Sequence, residues 1–166
     1  MTPTPVVSNA SPVIALEQID HLQLLQHLFG TVLIPPAVAY EVAPTVTLPA
    51  WIEQQELEQP VGPRILGASL GSGESEAIAL ALETQAQLVI LDERPARRLA
   101  QALYLPTIGT LGILLAAKQR QLLVSIRPHL DTLLQYDFRI ASSLYDEVLR
   151  AADEDPGAEA PHRRAR

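Results

Sequence analysis

The sequence contains no cysteine, which removes disulfides, zinc–thiolate centres and thiol nucleophiles from consideration. Any metal must then sit on oxygen ligands or on the four histidines, and the expected compartment is the cytoplasm. Aromatic residues make up only 4% of the chain, too few for a platform that stacks successive bases of a single strand. No apolar run approaches the roughly 20 residues a membrane-spanning helix needs, so no membrane association is expected. Met1–Pro5 lacks the positive region of a signal peptide, and Ser8, Asn9, Pro12 and Glu17 interrupt the apolar stretch that follows. Positive charge is scarce as well. With 12 Lys+Arg against 19 Asp+Glu the net charge is -7, which argues against broad coating of nucleic acid but leaves room for a local site that joins metal ions to a few arginines.

What is present is apolar material, 48% of 166 residues, enough for one domain with a buried core and too short for two independent ones. Val6-Val7 runs into Ser8-Asn9 and then Ser11-Pro12, which reads as a strand turning into a helix, with Ser11 as its cap. From Val13 to Phe29 the positions Ile14, Leu16, Ile19, Leu22, Leu25 and Leu28 recur at helical spacing, divided by Asp20 and stopped by Gly30. Thr31–Ile34 reads as a second strand and Ala37–Val42 as a helix after Pro35-Pro36. Leu48–Leu57 suggests another helix, and Pro60–Gly73, rich in glycine and proline, a mobile loop. A helix over Ser72–Glu83 and a buried strand over Leu88–Leu91 follow. Further on come a helix over Arg94–Leu103, a short strand at Pro106–Ile108 and a helix from Gly109-Thr110 to about Gln121. Helices near Arg127–Tyr136 and Ser142–Ala152 would complete a domain of residues 1–152, with 153–166 as a disordered tail.

Strands alternating with helices imply an α/β fold, a three-layer α/β/α arrangement around a short parallel sheet of about four strands. The functional crevice of such sheets lies beyond the carboxyl ends of the strands. Ser8, Asn9 and Ser11 follow the first strand, Asp92 and Glu93 the third, and Gly109 and Thr110 the fourth, so these residues should converge. Singly, each acid has an ordinary explanation. Asp92, Glu93, Glu74 and Glu76 are acids where a helix dipole favours them, and Glu41 could occupy an exposed helix face. Jointly, carboxylates from three separate segments at one crevice repel each other unless a cation is bound. Hard oxygen ligands select Mg²⁺ or Mn²⁺, the ions that serve phosphoryl transfer. Arg94, Arg97 and Arg98, just after Asp92, are placed to bind a phosphate backbone or simply to form a solvated face paired with nearby acids. The histidines show no ligand spacing, and Gly71-Ser72-Gly73 matches no nucleotide-cradling pattern.

Five short runs in order carry a family resemblance: VVSNASPVI from Val6, IPPAVAYEV from Ile34, GESEAIALA from Gly73, LDERPARR from Leu91 and TIGTLG from Thr107. Together, spanning about Val6 to Arg150, they resemble PIN-domain proteins, and more narrowly the prokaryotic PIN-like branch found in toxin–antitoxin pairs. The resemblance implies a metal-dependent endoribonuclease, with Mg²⁺ or Mn²⁺ as cofactor and RNA as substrate. An antitoxin protein and a second copy of the chain are the implied partners. Asn9 falls where most PIN domains have aspartate, Glu41 at the second acid, Glu74 or Glu76 at the third and Asp92 at the fourth, with Glu93 as a supplement. Ser11 and Thr110 are polar supporting positions. An amide at Asn9 can ligate a cation but carries no charge, which also opens the reading of a catalytically degenerate domain that binds RNA or protein without cutting. A phosphoacceptor enzyme is disfavoured because the first strand does not end in aspartate. Val13, Ile14, Leu22, Leu24, Leu25 and Leu28 cover more than one helical face, so some are candidates for a partner surface.

Overall fold

The computed structural model describes residues 3–59 and 61–157. Among these, five strands, β1 (Val6–Ser8), β2 (Val32–Ile34), β3 (Ile52–Gln54), β4 (Leu88–Ile90) and β5 (Thr107–Ile108), form one sheet in the order β3-β2-β1-β4-β5. Every pairing is parallel. The helices are α1 (Ala10–Gln18), α2 (Leu24–Phe29), α3 (Pro36–Val42), α4 (Val61–Leu66), α5 (Ser72–Glu83), α6 (Arg94–Ala102), α7 (Thr110–Gln119), α8 (Arg127–Gln135) and α9 (Ser142–Ala151). The chain is therefore α/β as expected, with five strands instead of about four.

The additional strand is β3, in the stretch expected to be helical. Pro49 cannot donate within a helix, and the segment instead joins β2 at the sheet edge, where the Val32 amide donates to the Trp51 carbonyl and the Gln55 amide to that of Ile34. Pro60–Gly73 likewise departs from the expected loop. Pro60 lies outside the described residues, but Val61–Leu66 is helical and Ser72 already belongs to α5. Gly67 follows the last residue of α4, and Gly71 holds the cap position of α5. At the first strand exit the helix begins two residues earlier than expected, so Asn9 and not Ser11 holds the cap position of α1. Asp20 divides α1 from α2 by closing the first: it takes a positive φ of 58° while the His21 amide donates back to Leu16 O.

Both faces of β1 are buried, Val6, Val7 and Ser8 being at most 1% exposed, as a central parallel strand requires. Val7, Val89 and Leu91 share one core cluster with Ala77, Ile78 and Leu80 of α5 and Ala96 and Ala100 of α6. Val13, Leu22, Leu24, Leu25 and Leu28 are buried within the chain, and of the six candidates for a partner surface Ile14 alone is partly exposed. The core consumes the other five. The residues group into two compact units, Met1–Ile113 and Leu114–Arg166, with the boundary inside α7. In the second unit Glu154, within the stretch expected to be a disordered tail, is held in place by its surroundings. Glu154 accepts hydrogen bonds from the Ile126 amide at 2.6 Å, the Arg127 amide at 3.2 Å and Lys118 Nζ at 2.9 Å. Residues 158–166, the rest of that expected tail, lie outside the described residues. No helix among the described residues is long and apolar enough to cross a membrane.

Candidate metal centre at the strand ends

Chain order explains where the site lies. The connection from β1 moves to β2 on one side, while β4 and β5 extend the sheet on the other, so the order reverses between β1 and β4. A crevice opens at such a reversal, beyond the carboxyl ends of the two strands. Ser8 pairs with Ile90, and the Asn9 amide donates to Ile90 O at 3.0 Å, so Asn9 and Asp92 leave adjacent strands side by side.

Asn9 sits at the cap of α1 with extended backbone (φ -80°, ψ 172°), yet its side chain makes no cap hydrogen bond. The residue is 2% exposed and its Oδ1 has no partner. An unpartnered buried acceptor costs about 1–3 kcal/mol, and asparagine at a helix cap ordinarily avoids that cost by turning to the helix amides. Here Oδ1 points elsewhere. A Cβ built on Gly73 would stand 3.0 Å from Asn9 Oδ1 and 3.0 Å from Glu41 Oε2, so an amide oxygen from the β1 exit and a carboxylate oxygen from α3 flank one small space that glycine leaves open.

Glu74, in the first turn of α5, acts on the same group. Burial raises the Glu41 pKa above the usual carboxylate value and the negative charge of Glu74 raises it further. Glu74 itself curls back over the start of α5, its Oε2 being 2.5 Å from the point a Cβ on Gly71 would take. Glu76 has a separate task. Pro35 and Pro36 leave the first amides of α3 without a side-chain cap, and Glu76 Oε2 accepts from the Ala37 amide at 2.8 Å.

Asp92 follows β4 and is held by the start of α7. Its Oδ1 accepts from the Thr110 amide and its Oδ2 from the Thr110 hydroxyl, both at 2.7 Å, and Thr110 is fully buried. Burial nevertheless pushes the Asp92 pKa above the usual aspartate value, although both Thr110 bonds and the Arg97 charge oppose the rise. Gly109 clears room for this pair: a Cβ there would lie 3.0 Å from Asp92 Oδ1 and 3.3 Å from Arg97 Nη1. Glu93, Arg94 and Arg98 are exposed on the neighbouring turn of α6, and Ser11 is partly buried in the first turn of α1.

The structure thus brings Asn9 and Glu41 to Gly73, with the charge of Glu74 acting on Glu41, and Asp92 and Arg97 to Gly109, with Thr110 bonded to Asp92. Among the described residues no three acidic or histidine side chains close on one point. One corner of the first group is an amide, and the two glutamates beside it repel each other. The donor set nevertheless fits a hard divalent cation: an orphaned amide oxygen, a facing carboxylate and a second carboxylate in mutual repulsion are what such an ion would satisfy. Gly73 was missed as a functional position. The available signal was a glycine inside the first turn of an otherwise strong helix, where alanine would be favoured by about 0.5–1 kcal/mol.

A family model described as a PIN domain matches residues 5–154, nearly the whole chain. The chain belongs to the PIN-domain family. No curated protein and no solved structure matches it. PIN domains are generally nucleases and typically use divalent metal ions, which places this chain coarsely among nuclease-type hydrolases. The Asn9–Glu41–Gly73 and Asp92–Thr110 groups lie where the strand order of this PIN domain reverses.

Proposed function

We propose that the chain is a metal-dependent endoribonuclease and the toxin half of a prokaryotic toxin–antitoxin pair. The observation that carries the nuclease part is the orphaned Asn9 Oδ1 facing Glu41 Oε2 across the space above Gly73, at the crevice where Asp92 also emerges. Glu41, Glu74 and Asp92, with the Asn9 amide oxygen, would hold Mg²⁺ or Mn²⁺. Such an ion, when bound, supplies an activated water and neutralises charge developing on a phosphate. Thr110 fixes the Asp92 carboxylate with two hydrogen bonds, so both of its oxygens keep one orientation. Arg97, beside Asp92, offers guanidinium donors to a phosphate of the RNA, with exposed Arg94 and Arg98 further along α6. Glu93 is a supplementary charge at the rim, and Glu76 supports the site by anchoring α3, the helix that carries Glu41. The toxin role, an antitoxin partner, a homodimeric state and a cytoplasmic location rest on the resemblance to that branch of the family.

A second reading has its own observation. Asn9 supplies no charge at the corner where most PIN domains have aspartate, so the domain could bind RNA without cutting it. Incubating purified protein with labelled structured RNA in Mn²⁺ or Mg²⁺, with EDTA and a folded Asp92→Asn variant as controls, separates the two. Cleavage lost in both controls is the expected result. Absence of cleavage across RNA classes and metals would support the binding module.

A further inference from the structure

Beside the crevice, on the other flank of the first turn of α5, lies a cavity of about 370 Å³, within the range of small-molecule sites. Leu57, Leu70 and Pro63 give it apolar walls, while Arg64, Ser72 and Glu76 bring polar groups to it. One of the two Glu76 oxygens is taken by the Ala37 amide, which pins the carboxylate and leaves Oε1 as an acceptor. Arg64 offers only donors. An apolar slot with one fixed acceptor and one multiple donor matches a flat heterocycle carrying donors on one edge and acceptors on another.

We propose that this cavity is a guanine pocket that receives a base of the RNA substrate and so biases where the chain cuts; this rests on the ribonuclease reading above. Guanine is the base whose N1–H and N2–H₂ suit an acceptor-only carboxylate while its O6 and N7 suit an arginine fork. Adenine, cytosine and uracil also carry a donor and acceptors, but each presents a single donor group to the carboxylate, where guanine presents two adjacent ones. Continuity with the crevice supports a substrate base: Ser72 lines the pocket, and the next residue, Gly73, faces Asn9 and Glu41. Pocket and crevice thus meet at adjacent residues of the first turn of α5.

The test has two arms that fail separately. In the first, guanosine 5′-monophosphate and the other three nucleoside monophosphates are titrated calorimetrically into the full chain, with Arg64→Ala and Glu76→Gln for comparison. Glu76→Gln keeps an oxygen for the Ala37 amide while placing an NH₂ in the pocket, so it inverts recognition without removing the helix anchor. The expected result is selective guanosine monophosphate binding, weakened about tenfold or more by either change. In the second, cut sites are mapped on an RNA of randomised sequence. Cleavage should concentrate at phosphates adjoining guanosine and be inhibited competitively by guanosine monophosphate. Arg64→Ala should flatten the preference while cutting continues. Selective binding without any cleavage would sustain the pocket and sink the ribonuclease reading. Cleavage with no base preference and no selective binding would overturn the pocket alone, and binding that never competes with RNA would overturn its role in the substrate path.

Discussion

Glu154 in the C-terminal unit and Asp92 in the N-terminal unit are both partly buried, Glu41 stands exposed beside a second carboxylate, and only Glu154 has its pKa held down. Two backbone amides and Lys118 point at Glu154, and together they hold its pKa below the usual value although burial pulls the other way. Glu41 meets partial desolvation and a second negative charge, and its pKa rises. Asp92 has two Thr110 bonds and a nearby arginine, and burial still prevails. The fold lowers the pKa of one carboxylate with its own donors and leaves two others raised at a strand-end crevice. The contrast locates where the chain has reserved room for positive charge from outside.

Removing charge on the side of raised pKa should have the largest effect on activity. Asp92→Asn retains an oxygen for the Thr110 amide, so the fold should persist. Metal-dependent RNA cleavage should fall by about 100-fold or more, since even changes that merely orient metal ligands cost about 10–100-fold. Circular dichroism and cleavage assays on the same preparation check this; unchanged cleavage would place the metal elsewhere.

On the side of lowered pKa the larger effect is on stability. Glu154→Ala strands the amides of Ile126 and Arg127 at the start of α8, and a lost buried partner costs about 2 kcal/mol. Chemical denaturation should show that loss, while the metal-induced rise in melting temperature stays as in the unaltered chain. A change in metal response would break the separation between the two regions.

Proton linkage sharpens the comparison because the signs are opposite. The lowered pKa of Glu154 means stability present above the ordinary glutamate value of 4.5 and lost as pH falls through its folded-state value. The raised pKa of Asp92 means the reverse: its contribution is fully present below the ordinary 3.8 and lost as pH rises through its folded-state value. Each tenfold difference in proton affinity is worth about 1.4 kcal/mol. Stability against pH in EDTA should therefore show an acid-side loss that Glu154→Gln removes and a loss on raising pH that Asp92→Asn removes. Adding Mn²⁺ should abolish only the second.

How much of this was legible in the sequence depended on whether the cause was local. The strand exits at Asn9 and Asp92 were readable because short apolar runs stop at polar residues and helical spacing follows. β3 was not, since an edge strand with one buried residue, Ile52, and exposed Glu53 and Gln54 carries no alternating pattern. Glu154 stood in an acidic stretch without apolar period, and its donors come from residues 27 to 36 positions away. Glu74 and Glu76 looked interchangeable in sequence. Only the packing of α5 against α3 separates the one that repels Glu41 from the one that anchors Ala37.

The smallest expected change is also the one that isolates the space itself. Gly73→Ala adds a single carbon 3.0 Å from both Asn9 Oδ1 and Glu41 Oε2. Glu41 ends a flexible side chain and can retreat, whereas Asn9 is buried with its backbone fixed to Ile90 O, so the two oxygens should separate. Within α5, alanine is the better helix former by about 0.5–1 kcal/mol. If glycine is kept for metal binding, the variant should be as stable as the parent or slightly more so in EDTA, yet show a smaller Mn²⁺-induced rise in melting temperature and weaker cleavage. If glycine is kept only for packing, the variant should lose stability equally with and without Mn²⁺. The difference between the two melting shifts, not either alone, decides whether the open space at Gly73 belongs to a metal centre.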